Sequence, residues 1–339
     1  MRATVLTMAL LASLGALPLH AQQAGATQAL PADGIRTEAT VVVEGEQPGP
    51  GLWIVRKGGH DLYVLGMLSP LPTKMQWRAQ QVQQVLAGAQ EVIRAPWVSL
   101  DVKAGFFSQL LLLPQMLGAR NNPDGKHLQD VVSPASYARW QALKLRYPGV
   151  GGGAEKMRPL FAAQEMYGEA MKRAGLNGQN IVTPVIDAAI KAHSLRVTEV
   201  KETIVVTDPK PLLREWKKTT LDDLACFDNT MTRLETDIDA MRARANAWAS
   251  GDVAALRSLP PAYQWEACNS AFTEAGIGKR LGFGDARQKV RAKWLEAAEA
   301  ALERNSVSFA MLSLNDMLGT NGYLAALQAK GYTVIGPDE

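Results

Sequence analysis

Histidine and cysteine are scarce in this chain, four and two among 339 residues. The scarcity excludes much. His20, His60, His127 and His193 show neither the H-x-x-x-H nor the His/Cys spacing of a zinc site, so any metal centre would have to draw on carboxylates and distant segments. No serine sits in a G-x-S-x-G elbow with an acid and a histidine after it, so a serine hydrolase is not spelled out either. Basic and acidic side chains nearly cancel, 36 against 33, which is no nucleic-acid footprint. Past the N-terminus no apolar run is long enough to cross a bilayer. The most apolar, Phe106 to Leu113, is halted by Pro114 and reads as a core helix. Gly149 to Gly153 lacks the Gly-Lys-Ser/Thr ending of a phosphate loop and reads as a joint between helices. The pairs Asp222-Asp223 and Glu235/Asp239 read as solvated helix surface.

What is present begins with a leader. Met1-Arg2 is positive, Val5 to Leu17 is apolar, and Leu19-His20-Ala21 reads as a cleavage site, so residues 1–21 read as a signal peptide cut after Ala21. Residues 22–36 are small and polar and read as a flexible leader. The mature protein is therefore expected to be periplasmic or secreted, with no transmembrane segment. In that oxidising setting an even pair, Cys226 and Cys268, favours a disulfide over two buried thiols.

From residue 37 to 339 the pattern predicts a single domain of α/β (α+β) class. The stretch Leu62 to Pro72 organises it. Tyr, Val and Leu predict a strand buried on both faces, ending at Gly66, and Ser69-Pro70 then turns the chain and presents Ser69 at a strand end. Strands are expected at Thr40–Glu44 and Leu52–Lys57, the latter joined through Gly58-Gly59 to Asp61–Leu68 as a hairpin. A helix is expected from the N-cap Thr73 to Leu86, then a strand at Glu91–Arg94. The chain from about 103 to 195 reads as a helical insertion. Thr198 to Thr207 should be a strand, Thr220 to Ser250 one or two helices, Asp285 to Arg304 a helix, and Ser306–Ser313 and Gly331–Ile335 closing strands. Strands gather at both chain ends, which predicts one mixed sheet covered by helices. Trp248 and Trp294, at helical spacing from Leu and Ala, read as core, with carbohydrate contact by an exposed Trp as the alternative.

Three stretches in this order resemble the TraB/GumN family. They are Leu52–Lys57 with Tyr63–Gly66, then Ala247-Trp248-Ala249-Ser250-Gly251-Asp252, then Ser308–Leu312 with Leu318–Leu324 and Lys330–Val334. The resemblance is to the GumN-like branch, encoded alongside xanthan-type exopolysaccharide genes. It implies two Gly-x-x-His motifs converging on a divalent metal, an arrangement some animal relatives use for metal-dependent peptide hydrolysis. Carried over to this chain, the first motif is Gly66-Met67-Leu68-Ser69 and the second Ser313-Leu314-Asn315-Asp316. Serine and aspartate stand where histidines are expected. A family glutamate falls on Ala95, beside Arg94, and another near Lys201 or Glu202; an arginine is kept as Arg291.

Losing two imidazoles and a carboxylate removes most of an inner coordination shell, so no cofactor is expected. The binding candidates are Gly66, Ser69, Arg94, Arg291, Ser313 and Asp316, with Arg94 and Arg291 together suited to an anion. The reading is an exported binding or accessory protein, with a polysaccharide or an envelope protein as partner. The alternatives are a hydrolase rebuilt from Ser69, Asp316 and either His60 or Glu202, and a structural protein showing an exposed apolar patch.

Overall fold

Gly45–Gln47 (β1) is a short strand, and Leu52–Lys57 (β2) and His60–Met67 (β3) form the expected hairpin. Gly58 and Gly59 turn it with φ of 60° and 82°, the left-handed pair that a tight two-residue hairpin needs. The computed structural model describes residues 45–103, 118–178, 180–259, 264–319 and 321–337. The signal peptide, the leader, the strand expected at Thr40–Glu44 and the apolar run Phe106–Leu113 lie outside the described residues.

After β3 the chain departs from expectation. Instead of a helix capped by Thr73, two short strands follow, Leu71–Pro72 (β4) and Met75–Trp77 (β5), and the helix runs from Gln80 to Gly88. The reason is pairing that local propensity cannot see. β4 binds Leu176–Asn177, β5 binds β1, and the Thr73 amide donates to the Gly175 carbonyl at 3.0 Å. Glu91–Ile93 (β6) is where it was expected. Trp97–Val102 (β7) was not, since Ala95-Pro96 reads as a stop. It finds a partner about a hundred residues downstream.

The next segments are Leu176–Asn177 (β8), Arg196–Thr198 (β9) and Lys201–Val206 (β10), so the strand expected over Thr198–Thr207 is split. Helices Pro134–Arg146, Pro159–Arg173 and Thr183–His193 precede β9, the first capped by Ser133 Oγ on the Ser136 amide at 3.0 Å. Beyond β10, helices run from Pro209–Lys218 to Phe283–Arg304. The one or two helices expected over Thr220–Ser250 are two, Leu224–Thr236 and Ile238–Ser250, parted at Asp237. Asp223 is no solvated surface residue. It is 3% exposed, its carboxylate accepts from the Leu160 amide, and burial pushes its pKa up.

Val307–Ser313 (β11) and Thr333–Ile335 (β12) complete a six-stranded mixed sheet in the order β12-β2-β3-β11-β6-β9. β11 lies parallel to both neighbours, β3 and β6, and Ser308 to Leu312 are all buried, as a central strand requires. The helix Phe283–Arg304 packs on β3, β6, β7, β10 and β11, and Gln80–Gly88 packs on β11 and on Thr183–His193. Trp248 and Trp294 are fully buried, so both belong to the core and neither is a sugar platform. A second apolar cluster, with Trp140 against Phe227 at 5.8 Å between ring centroids, fills the helical part. Cys226 and Cys268 are disulfide-bonded, tying the helix Leu224–Thr236 to Gln264–Thr273 across two intervening helices.

Candidate functional site

The register of β3 and β11 places the two motifs side by side. Gly66 pairs with Leu312 and Met67 with Ser313, so both strands leave the sheet at the same level. Strand ends of parallel pairs are the usual seat of chemistry in such sheets. From β3 the chain turns through the cis Ser69-Pro70 bond. From β11 it enters the short helix Leu314–Leu318, whose first turn is capped by Ser313 Oγ accepting from the Asp316 amide at 3.2 Å.

Gly66 serves the packing of the sheet end. A Cβ there would come within 2.7 Å of both Leu314 Cδ1 and Met317 Cε. Its carbonyl is taken by Trp248 Nε1, which donates at 2.7 Å. The small residue lets the helix after β11 close down on β3, and the Trp248 bond locks that approach.

Two hollows flank this helix. A cleft of about 700 Å³ is lined by Ser69, Tyr167, Lys172, Asn177, Ser313 and Asn315 over an apolar floor that includes Leu68, Leu71 and Val182. A groove of about 720 Å³ is lined by Trp97, Arg287, Arg291, Asn315, Asp316 and Tyr323. Ser69 and Ser313 therefore share the cleft, Asp316 and Arg291 share the groove, and Asn315 borders both. Asn315 was missed by sequence reasoning, although it stands inside the second motif. The buried Arg244 donates from Nη2 to its Oδ1 at 3.2 Å and so orients its amide.

Arg291 is held in place. Its Nη2 donates to the Asn321 carbonyl at 3.0 Å, and its guanidinium lies 5.4 Å from the Tyr323 ring centroid. Burial pushes the Tyr323 phenol up to about 12, with Asp316 adding to the rise and Arg291 and Arg287 opposing it. Arg287 also escaped the sequence reading, though it precedes Arg291 by one helical turn and so shares its face.

Arg94 does not join this group. Its side chain, 20% exposed, pairs with Asp187 and lies 3.7 Å from Glu199, and it lines neither hollow. The expected anion site made of Arg94 and Arg291 together is corrected on that ground, because nearer carboxylates hold Arg94. The residues considered for a rebuilt hydrolase do not converge either. His60 begins β3, at the opposite end from Ser69, and its Nδ1 pairs with the Leu302 carbonyl. Glu202 is bound by Lys293, and that hydrogen bond lowers its pKa.

The donor set at these positions differs from the one that the divalent metal implied by the family resemblance needs. It offers the Ser69 hydroxyl, the Asp316 carboxylate in a different hollow, and a methyl at Ala95. Among the described residues no three of His, Cys, Asp and Glu come together to hold an ion. These positions do not fit the group.

The fold and this strand-end site define an α/β protein with paired motifs at the C-terminal ends of adjacent parallel strands. The TraB/PrgY/gumN family model matches residues 51–335, and the chain belongs to that family. Compared with curated proteins and with solved structures, the chain matches none. Among the described residues no helix is long and apolar enough to cross a membrane.

Proposed function

We propose that this protein is an exported member of its family in which metal-dependent hydrolysis has been lost and the scaffold is kept for binding. Its role is that of an accessory protein in exopolysaccharide or cell-envelope processes. One observation carries the reading. The two strand ends that lie in register deliver a serine and an aspartate, into separate hollows, where the resemblance implies two histidines sharing an ion. A hydroxyl is a poor ligand for Zn²⁺, and one carboxylate without partners holds Mg²⁺ or Ca²⁺ weakly. Export is supported by the N-terminal pattern and by the disulfide, which suits an oxidising compartment.

The test is metal analysis of the purified mature protein together with calorimetric titration of Zn²⁺ and Mn²⁺. The expected result is no bound metal and no stoichiometric binding of either ion. Tight one-to-one binding would overturn the reading. Mass analysis of the exported chain is expected to find Gln22 as its first residue, and retention of residues 1–21 would remove the export claim.

A further inference from the structure

We propose that the groove between β7, the helix Phe283–Arg304 and the residues Asn315, Asp316, Gly319 and Asn321–Tyr323 binds a sugar ring carrying a carboxylate. The site rests on the binding role proposed above and deepens it by naming the ligand class. Two observations lead there. Trp97 lines the groove with half its surface, 49%, open to solvent, whereas Trp53, Trp140, Trp248 and Trp294 are buried. A flat exposed indole beside a polar wall suits the apolar C–H face of a sugar ring.

The charges supply the second observation. Those lining the groove are Arg287, Arg291 and Asp316, a balance of one positive charge. Arg291 is occupied by the carbonyls of Asn321 and Gly322, at 3.0 and 3.5 Å, and acts as a positioning residue for that loop. Arg287 and the Asp316 carboxylate share the same groove, and among the described residues no hydrogen bond or ion pair engages either side chain. A groove that keeps a guanidinium and a carboxylate apart suits a ligand that presents both an acceptor and donors. A carboxylate on the ring would take Arg287 in the planar two-point geometry that guanidinium favours. Ring hydroxyls would donate to Asp316 and accept from the amide of Asn315.

Charge balance also decides which anion. A carboxylate neutralises the single excess positive charge. A phosphate near −2 would leave an excess negative charge facing Asp316, which disfavours it.

The test uses the full mature protein, titrated calorimetrically with a glucuronate-bearing oligosaccharide and with the same oligosaccharide reduced at its carboxyl to the neutral alcohol. The acidic form is expected to bind at least roughly tenfold more tightly, the scale of one charge-assisted hydrogen bond, and to change tryptophan fluorescence. Arg287→Gln should erase the difference between the two sugars, while Trp97→Ala should weaken both alike and remove the fluorescence change. Both side chains are exposed, and unchanged melting temperatures would show that the variants fold. Equal binding of the two sugars, no binding of either, or discrimination surviving in Arg287→Gln would overturn the site. A sugar phosphate that competes as well as the uronate would overturn the carboxylate assignment. Tight Zn²⁺ binding alongside intact uronate discrimination would sink only the loss of metal chemistry. Metal-free protein that ignores both sugars would sink only this site.

Discussion

Glu91 sits at the start of β6 with no solvent exposure. It accepts from Arg304 Nη2 at 2.9 Å and Asn305 Nδ2 at 2.7 Å, and from the Thr198 hydroxyl. Burial alone would raise its pKa, but these hydrogen bonds outweigh it and the pKa is lowered. The sign follows from linkage. A carboxylate held below its unfolded value of 4.5 stabilises the fold above that pH, and the contribution is lost as pH falls through the folded value. Glu91→Gln is expected to cost about 2 kcal/mol near neutral pH, the scale of charge-assisted bonds. It should also flatten the acid limb of stability, which denaturant melts between pH 3 and 7 would detect. Glycines near the site separate by what they touch. Gly66→Ala meets only the far ends of Leu314 and Met317, which can move, so a cost of about 1 kcal/mol is expected. Gly322→Ala would press on three backbone carbonyls, those of Met317, Gly319 and Asp316, within 2.5–2.8 Å. It should cost more than Gly66→Ala in the same melts.

At the scale of elements, helix ends were legible where a side chain satisfies them. Ser133 followed by Pro134, and Asp252 after Gly251, read as N-caps in the sequence, and both cap the helices that follow them, Asp252 Oδ1 accepting from the Ala255 amide at 2.8 Å. Asp252→Ala is expected to lower stability by about 1 kcal/mol, measurable as a shifted denaturation midpoint with an unchanged slope. Thr73 has the same local chemistry, yet its surroundings became strand, because Gly175 and β8 offered the backbone partners first. The disulfide joins two cysteines 42 residues apart in sequence. On loop entropy it contributes about 4 kcal/mol. Replacing both cysteines by serine should therefore lower the chemical denaturation midpoint markedly, and reductant should do the same to the natural chain but not to the variant.

For the whole molecule, the apolar clusters of the sheet and of the helical part hold the fold through burial, with each fully buried leucine or valine worth about 1.5–3 kcal/mol. Among the described residues no three of His, Cys, Asp and Glu gather to hold an ion. A chelator is therefore expected to leave the melting temperature unchanged, whereas a structural metal would make it fall.

The amino-acid sequence alone determined the elements whose signals are local. These are the β2–β3 hairpin through its two glycines, the buried strand at 307–313, the capped helices, and the pair of degenerate motifs. It also carried the family. Only the tertiary structure decided that β7 would be a strand, that Arg94 would be claimed by Asp187, that Asp223 would be buried, and that Trp97, Arg287 and Asp316 would face one groove. The physical reason is the range of the interactions. Turns, caps and apolar periodicity act within a few residues and are written in order along the chain. Strand pairing and charge neighbourhoods join residues as far apart as Trp97 and Lys201, or Arg94 and Asp187, and exist only once the chain has folded.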